Sequence, residues 1–177
     1  MDALVHKLSH MKDTTTQKRF LKKKGYSEEK IQEILKDVKF LQKGLKKFPR
    51  ADQMHYTAED IAQSSSLDVA KYRTWKILTK LGKIHHGVDL CGGIGGDAIA
   101  AGLRWKVTVI EKNQDIFDML EHNLAVYKVN ENVSSILGDI YHLLAQSEFQ
   151  GLIKQANYVF FDPSRRSEGK RTVKIEE

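Results

Sequence analysis

The chain has 177 residues, 41% hydrophobic and 29% charged, a balance that suits a packed globule and excludes a disordered polar tract. No apolar run approaches the ~20 residues of a membrane helix. Met1 to Lys12 has no signal-peptide core, and the single cysteine, Cys91, excludes an internal disulfide framework and a cysteine–zinc cluster. The net charge of +6 is uneven: residues 1–50 carry 14 Lys+Arg and 6 Asp+Glu, and residues 51–177 carry 15 and 17. By exclusion the expected compartment is the cytoplasm. A basic segment beside a near-neutral one favours a polyanionic partner such as RNA or DNA; a solvated lysine-rich helical face is the alternative.

In chain order, the first part reads as helices. Leu4, Val5, Leu8 and Met11 share one helical face. Asp13 is placed to cap a helix holding Phe20 and Leu21, which Gly25 ends. Ser27 caps a longer helix with Glu28 and Glu29 in its first turn, where the macrodipole favours acids. Its apolar positions are Ile31, Ile34, Leu35, Val38, Leu41 and Leu45, and Pro49 sets its end near Phe48. Thr57 with Asp60 resembles a helix start. The spacing of Val69, Trp75, Ile77, Leu78 and Leu81 predicts a helix over Leu67 to Leu81.

From Gly87 strands and helices alternate: strand Gly87–Cys91, helix Asp97–Leu103, strand Lys106–Glu111, helix Asp115–Tyr127, strand Val133–Leu137, helix Ile140–Phe149, strand Ala156–Phe161. This is the pattern of a parallel α/β sheet, with expected strand order 3-2-1-4. The chain so divides into a basic helical domain over 1–50, a helical linker over 51–84, and an α/β domain over 85–177.

Four sites carry chemistry. In V-D-L-C-G-G-I-G-G-D, Val88 to Asp97, a strand runs through Gly92, Gly93, Gly95 and Gly96 into a helix N-terminus. Such a turn lets backbone approach a ligand closely. Gly93, Gly95 and Ala98 also fit G-x-G-x-x-A, although a glycine turn can serve packing alone. Glu111 ends the second strand, followed by Lys112; a carboxylate there can accept from vicinal ribose hydroxyls, or can be a solvated strand-end acid. After the third strand, Asp139 can accept from an adenine amino group and Ile140 can pack on the ring. A helix N-cap is the equal alternative for Asp139. After the fourth strand, in F-F-D-P-S-R-R, Asp162 and Pro163 place a carboxylate and a rigid carbonyl at the crevice. Asp162 can orient an attacking amine, and Arg165 and Arg166 suit a phosphate or carboxylate; a turn with a surface ion pair is the alternative.

These sites, in order and spacing, resemble a class I S-adenosylmethionine-dependent methyltransferase. The resemblance implies a Rossmann-like fold, with Asp89 and the glycine turn (Cys91, Gly92, Gly93, Gly95, Asp97) holding the methionine part. Glu111 and Lys112 would take the ribose, Asp139 and Ile140 the adenine, and Asp162, Pro163 and Arg165 would face the target. Ser164 and Arg165 depart from the Pro-aromatic continuation common in amino-group methyltransferases. F-P-R-A-D-Q-M-H-Y-T, D-L-C-G-G-I-G-G-D and D-P-S-R-R together look like the methyltransferases that carry a THUMP-like C-terminal domain, and more distantly are similar to trimethylguanosine synthase. In such proteins the stretch around Tyr56 and Thr57 lies over the cofactor. The resemblance implies transfer to a nitrogen of an RNA base.

Two other readings compete. An NAD-linked oxidoreductase shares the glycine turn and Glu111 but leaves D-P-S-R-R unexplained. A non-catalytic RNA-binding module would keep only a vestigial cofactor pocket. His85 and His86 are expected in a solvated loop with no metal set, and Cys91 as a small residue chosen for fit. Four strands, against the seven that the resemblance implies, lead us to expect a fragment of a longer protein. The uncharged strand A-N-Y-V-F-F is expected to be covered, by a further strand, by the folded-back tail Arg171–Glu177, or by a dimer contact.

Overall fold

A computed structural model describes residues 3–163 and the short strand segments 166–167 and 170–171. Helices α1 (Ala3–Ser9), α2 (Thr14–Lys23) and α3 (Glu28–Leu45) open the chain. Asp13 accepts from the Thr16 N–H and Ser27 from the Lys30 N–H, so both expected caps form. The α3 stripe Ile31, Ile34, Leu35, Val38 and Leu41 is buried. Two amides tie the helices together: Gln17 Nε2 donates to the Leu8 carbonyl and Gln42 Nε2 to the Ser9 carbonyl. Thr57 and Asp60 form a reciprocal capping box at the start of α4 (Ala58–Gln63).

Helix α5 spans Leu67–Leu81, as its spacing predicts, but its buried side differs. Leu67, Ala70 and Thr74 face inward, whereas Val69, Trp75 and Leu81 are exposed. The reason lies in its neighbour, α6 (Gly96–Gly102), whose sequence is nearly all glycine and alanine. Two helices that approach closely need small residues at the contact, and Ala70 and Thr74 supply them.

The sheet is parallel, in the order β3-β2-β1-β4, with β1 His86–Asp89, β2 Lys106–Glu111, β3 Val133–Leu137 and β4 Tyr158–Phe160. It has the Rossmann-like methyltransferase architecture, preceded by helices. Strand β1 starts earlier than expected, because His86 pairs with Lys106, and stops earlier, where the Cys91 N–H turns back onto Asp89 Oδ1. His86 is therefore the first residue of β1 and not part of a solvated loop, with Nε2 2.9 Å from Thr108 Oγ1. Strand β4 is shorter than expected; just before it the Asn157 N–H donates to the His86 carbonyl while its side chain accepts from the His85 and His86 N–H groups. The single helix expected over Ile140–Phe149 is two: α8 (Ile140–Leu144) and α9 (Ser147–Gln155), with α7 (Gln114–Tyr127) before them. Gln146 is extended at the break, and the redirected α9 buries Phe149 against Val88 and Ile110 on one sheet face.

The other face carries the larger core. Val107 and Val109 of β2 pack with Ile99, Leu120 and Leu124, and the same core continues into Ile31, Val38 and Leu41 of α3. Phe48, fully buried, lies next to Gly96 and so connects the helical segment to the glycine turn. Segments β5 (Arg166–Ser167) and β6 (Lys170–Arg171) pair antiparallel with each other, not with β4. Residues 172–177 of the expected fold-back lie outside the described residues.

Candidate active site

The carboxyl ends of the parallel strands bring Asp89, the glycine turn, Glu111 and Asp139 to one edge of the sheet, the usual ligand position in an open α/β sheet. Leaving β1, the chain turns through Cys91 to Gly95. Gly93 (φ 52°) and Gly95 (φ 96°) take left-handed conformations, which glycine adopts without the Cβ penalty. Gly92 is needed for a different reason: a Cβ there would lie 2.5 Å from a Val109 methyl.

Glu111, at the end of β2, holds this turn. Its Oε2 accepts from the Gly93 N–H at 3.0 Å, and its Oε1 accepts from the Lys112 and Asn113 N–H groups at 2.9 Å each. The Glu111 carbonyl accepts from the Gly138 N–H, bringing the third motif alongside. Asp139 caps α8 through the Tyr141 N–H at 2.8 Å, and Ile140 packs partly onto the Val88–Ile110–Phe149 cluster. Lys112 is exposed and reaches Glu111 by its backbone.

Asp89 is 4% exposed, and its Oδ1 accepts from the Cys91 N–H at 3.1 Å. Burial pushes its carboxyl up to about 7, against the pull of that hydrogen bond; the charges of Asp97 and Asp162 add to the rise. Burial also raises Asp97, with Arg73 acting against it. Cys91 is pushed up to about 11, first by burial and then by Asp89, Glu111 and Asp162, so it stays a neutral thiol. Asp162 is exposed and follows β4, and its charge raises Asp89, Cys91 and Asp97. Pro163 is exposed beside it. Arg165 lies outside the described residues.

Two predicted residues are spent elsewhere. The Tyr56 ring packs on Phe40, with its hydroxyl against Gly44 in the helical layer. The Thr57 hydroxyl is engaged with Asp60. Their segment does approach the turn by its backbone, through Asn123. This fully buried amide accepts from the His55 N–H and donates to the His55 carbonyl and to the Ile94 carbonyl inside the turn.

Sequence reasoning missed Asn123 and, more consequentially, Arg73. From α5, Arg73 Nη1 donates to Asp97 Oδ1 at 2.7 Å and Nη2 to Ser65 Oγ at 2.9 Å, and its guanidinium lies 5.0 Å from the Phe160 ring centre. The available signal was chemical: Asp97 opens a helix of small apolar residues and needs a cation from another element. Among the described residues, Arg73 is the side chain that forms an ion pair with the acids of this crevice. Asp97, Glu111 and Asp162, with Asp89 part-protonated near neutral pH, therefore leave the pocket with an excess of negative charge. That suits a ligand carrying positive charge, as the sulfonium and ammonium groups of S-adenosylmethionine do, and it opposes the pyrophosphate of a dinucleotide. No group of three or more metal-ligating side chains occurs among the described residues.

The fold that carries this crevice is the Rossmann-like methyltransferase fold. Residues 84–165 match the family model of the RNA cap guanine-N2 methyltransferases. Among solved structures, the chain is similar to an RNA methyltransferase from Salinibacter ruber in complex with S-adenosyl-L-homocysteine (21% identity, TM-score 0.41, 51% of this chain and 57% of that one). It is also similar to an S-adenosylmethionine-dependent methyltransferase from Agrobacterium tumefaciens (12%, 0.48, 58% and 33%), and to the glycopeptide N-methyltransferase MtfA complexed with sinefungin (20%, 0.36, 40% and 32%). The chain spans 57% or less of the length of each of these. No curated protein sequence matches it.

Proposed function

We propose that this chain binds S-adenosylmethionine across the ends of β1, β2 and β3 and directs its methyl group to a nitrogen of an RNA base held at Asp162, guanine N2 being the position that the matched family's description names. The observation that carries the reading is the acidic crevice around the glycine turn, where Glu111 holds the Gly93 N–H, Asp89 the Cys91 N–H and Arg73 the Asp97 carboxylate. When bound, the cofactor supplies an electrophilic methyl on a cationic sulfur. Asp89 and Asp97 would stabilise its positive groups, and Arg73 would keep Asp97 ionised and oriented. Glu111 would exchange part of its backbone bonding for the ribose hydroxyls. Asp139 and Ile140 would flank the adenine.

Asp162 would accept an N–H of the target amine, turning the nitrogen lone pair toward the methyl. The catalytic contribution is then proximity and orientation more than proton transfer. Arg165 and the lysines of residues 1–50 would meet RNA phosphates. Labelled-methyl transfer to total RNA tests this reading. Asp162→Ala should abolish transfer and leave cofactor affinity within about threefold, since an orienting contact acts on the transition state. Transfer that proceeds at the normal rate in Asp162→Ala would remove Asp162 from the reaction.

A further inference from the structure

We propose that the outer face of α5 is a stacking platform for single-stranded RNA that leads into the crevice. This rests on the RNA reading above and assigns a surface that the basic segment 1–50 does not include. Tyr72 and Trp75 are 57% and 55% exposed, and Val69 beside them is 50% exposed. The two rings stand one turn apart on the helix and stack on each other, with centroids 5.7 Å apart and planes inclined by 30°. Single exposed apolar residues are ordinary, but two stacked aromatic rings facing water are a costly and preorganised surface.

The charge on this face points to the occupant. Lys76 Nζ lies 5.5 Å from the Tyr72 ring centre. Lys71, Lys76 and Lys80 are exposed on α5 and form no ion pair among the described residues. The only acid of α5 is Asp68, in its first turn. Exposed rings interleaved with free cations are what a single strand needs, since bases stack on the rings and phosphates meet the ammonium groups. Duplex RNA keeps its bases stacked on each other and has no use for the rings.

The position fits a substrate path. Val69, Tyr72, Lys76 and Lys80 line a groove together with Arg73 and Ile77. Arg73 and Ile77 also line a small cavity with Asp89, Asp97 and Phe160. A strand stacked on Tyr72 thereby lies beside Arg73, the partner of Asp97.

The test uses a single-stranded RNA of about ten nucleotides, long enough for one such site, and the same strand in a duplex. Tryptophan fluorescence should be quenched by the single strand and not by the duplex; the other tryptophan, Trp105, is buried and supplies a constant background. Trp75→Ala and Tyr72→Ala should each weaken single-strand binding about tenfold or more, and Trp75→Phe should retain it within about threefold. Both positions are exposed, so an unchanged circular dichroism spectrum and melting temperature are expected for each variant. Unchanged RNA affinity in Trp75→Ala and Tyr72→Ala would overturn the platform and leave the RNA reading intact. Failure of the unaltered chain to bind RNA would overturn both. Trp75 burial that rises with protein concentration and not with RNA would assign the face to a second copy of the chain, and would equally overturn the proposal.

Discussion

Asp89→Asn removes a buried negative charge while keeping an oxygen that can accept from the Cys91 N–H. The Asp89 carboxyl is raised from 3.8 to about 7 in the folded protein. Between those values the folded chain binds more protons than the unfolded one, so Asp89 makes stability fall as pH rises through this window. The accumulated loss above pH 7 is on the order of 4 kcal/mol, a large fraction of an ordinary folding free energy. The cofactor-free Asp89→Asn variant should therefore match the parent near pH 4 and become progressively more stable than it toward about pH 8. Urea denaturation across that range measures both, and the difference between the two curves cancels the other titrating groups. A cation bound beside Asp89 favours its charged form, so S-adenosylmethionine should shrink the advantage of the variant. Parallel pH–stability curves for the two proteins would refute the argument, because they would mean that Asp89 titrates alike in the folded and unfolded chains.

Glu111→Ala strands the N–H groups of Gly93, Lys112 and Asn113; titration calorimetry should show S-adenosylmethionine affinity weakened by roughly 1–3 kcal/mol. Arg73→Met leaves Asp97 without its partner; the Asp97 carboxyl, followed by NMR, should titrate at higher pH than in the parent. The Tyr56 hydroxyl is buried with no hydrogen-bond partner, so Tyr56→Phe should be neutral or stabilising by about 1 kcal/mol in thermal melts. If it weakens cofactor binding instead, the hydroxyl belongs to the site. Gly44→Ala drives a methyl against the Tyr56 ring and Ala51 and should destabilise by about 1–3 kcal/mol.

The strand order and the glycine turn were legible because their signals are local. Glycines at fixed spacing, β-branched runs and strand-end acids fix where the chain turns and which ends gather. The caps at Asp13, Ser27 and Thr57 were legible for the same reason: each hydrogen bond spans three residues. The Arg73–Asp97 pair joins positions 24 residues apart and the Asn123–Ile94 bond joins positions 29 apart. No periodicity announces such contacts. The buried face of α5 was not legible, because the apolar residues Val69, Trp75 and Leu81 are not those that close packing on α6 requires. The break between α8 and α9 escaped detection because no Gly or Pro marks Gln146. Tyr56 shows the limit of motif transfer: the stretch approaches the turn, but by backbone, and its ring belongs to the helical core.

The central claim is that the acidic crevice is built for S-adenosylmethionine. Titration calorimetry with S-adenosylmethionine and NAD, on the unaltered chain and on Glu111→Ala, tests it most directly. Saturable binding of S-adenosylmethionine, weakened in Glu111→Ala, is expected, with no binding of NAD, whose pyrophosphate the net negative charge of the crevice repels. NAD binding, or a folded chain that ignores S-adenosylmethionine, would contradict it.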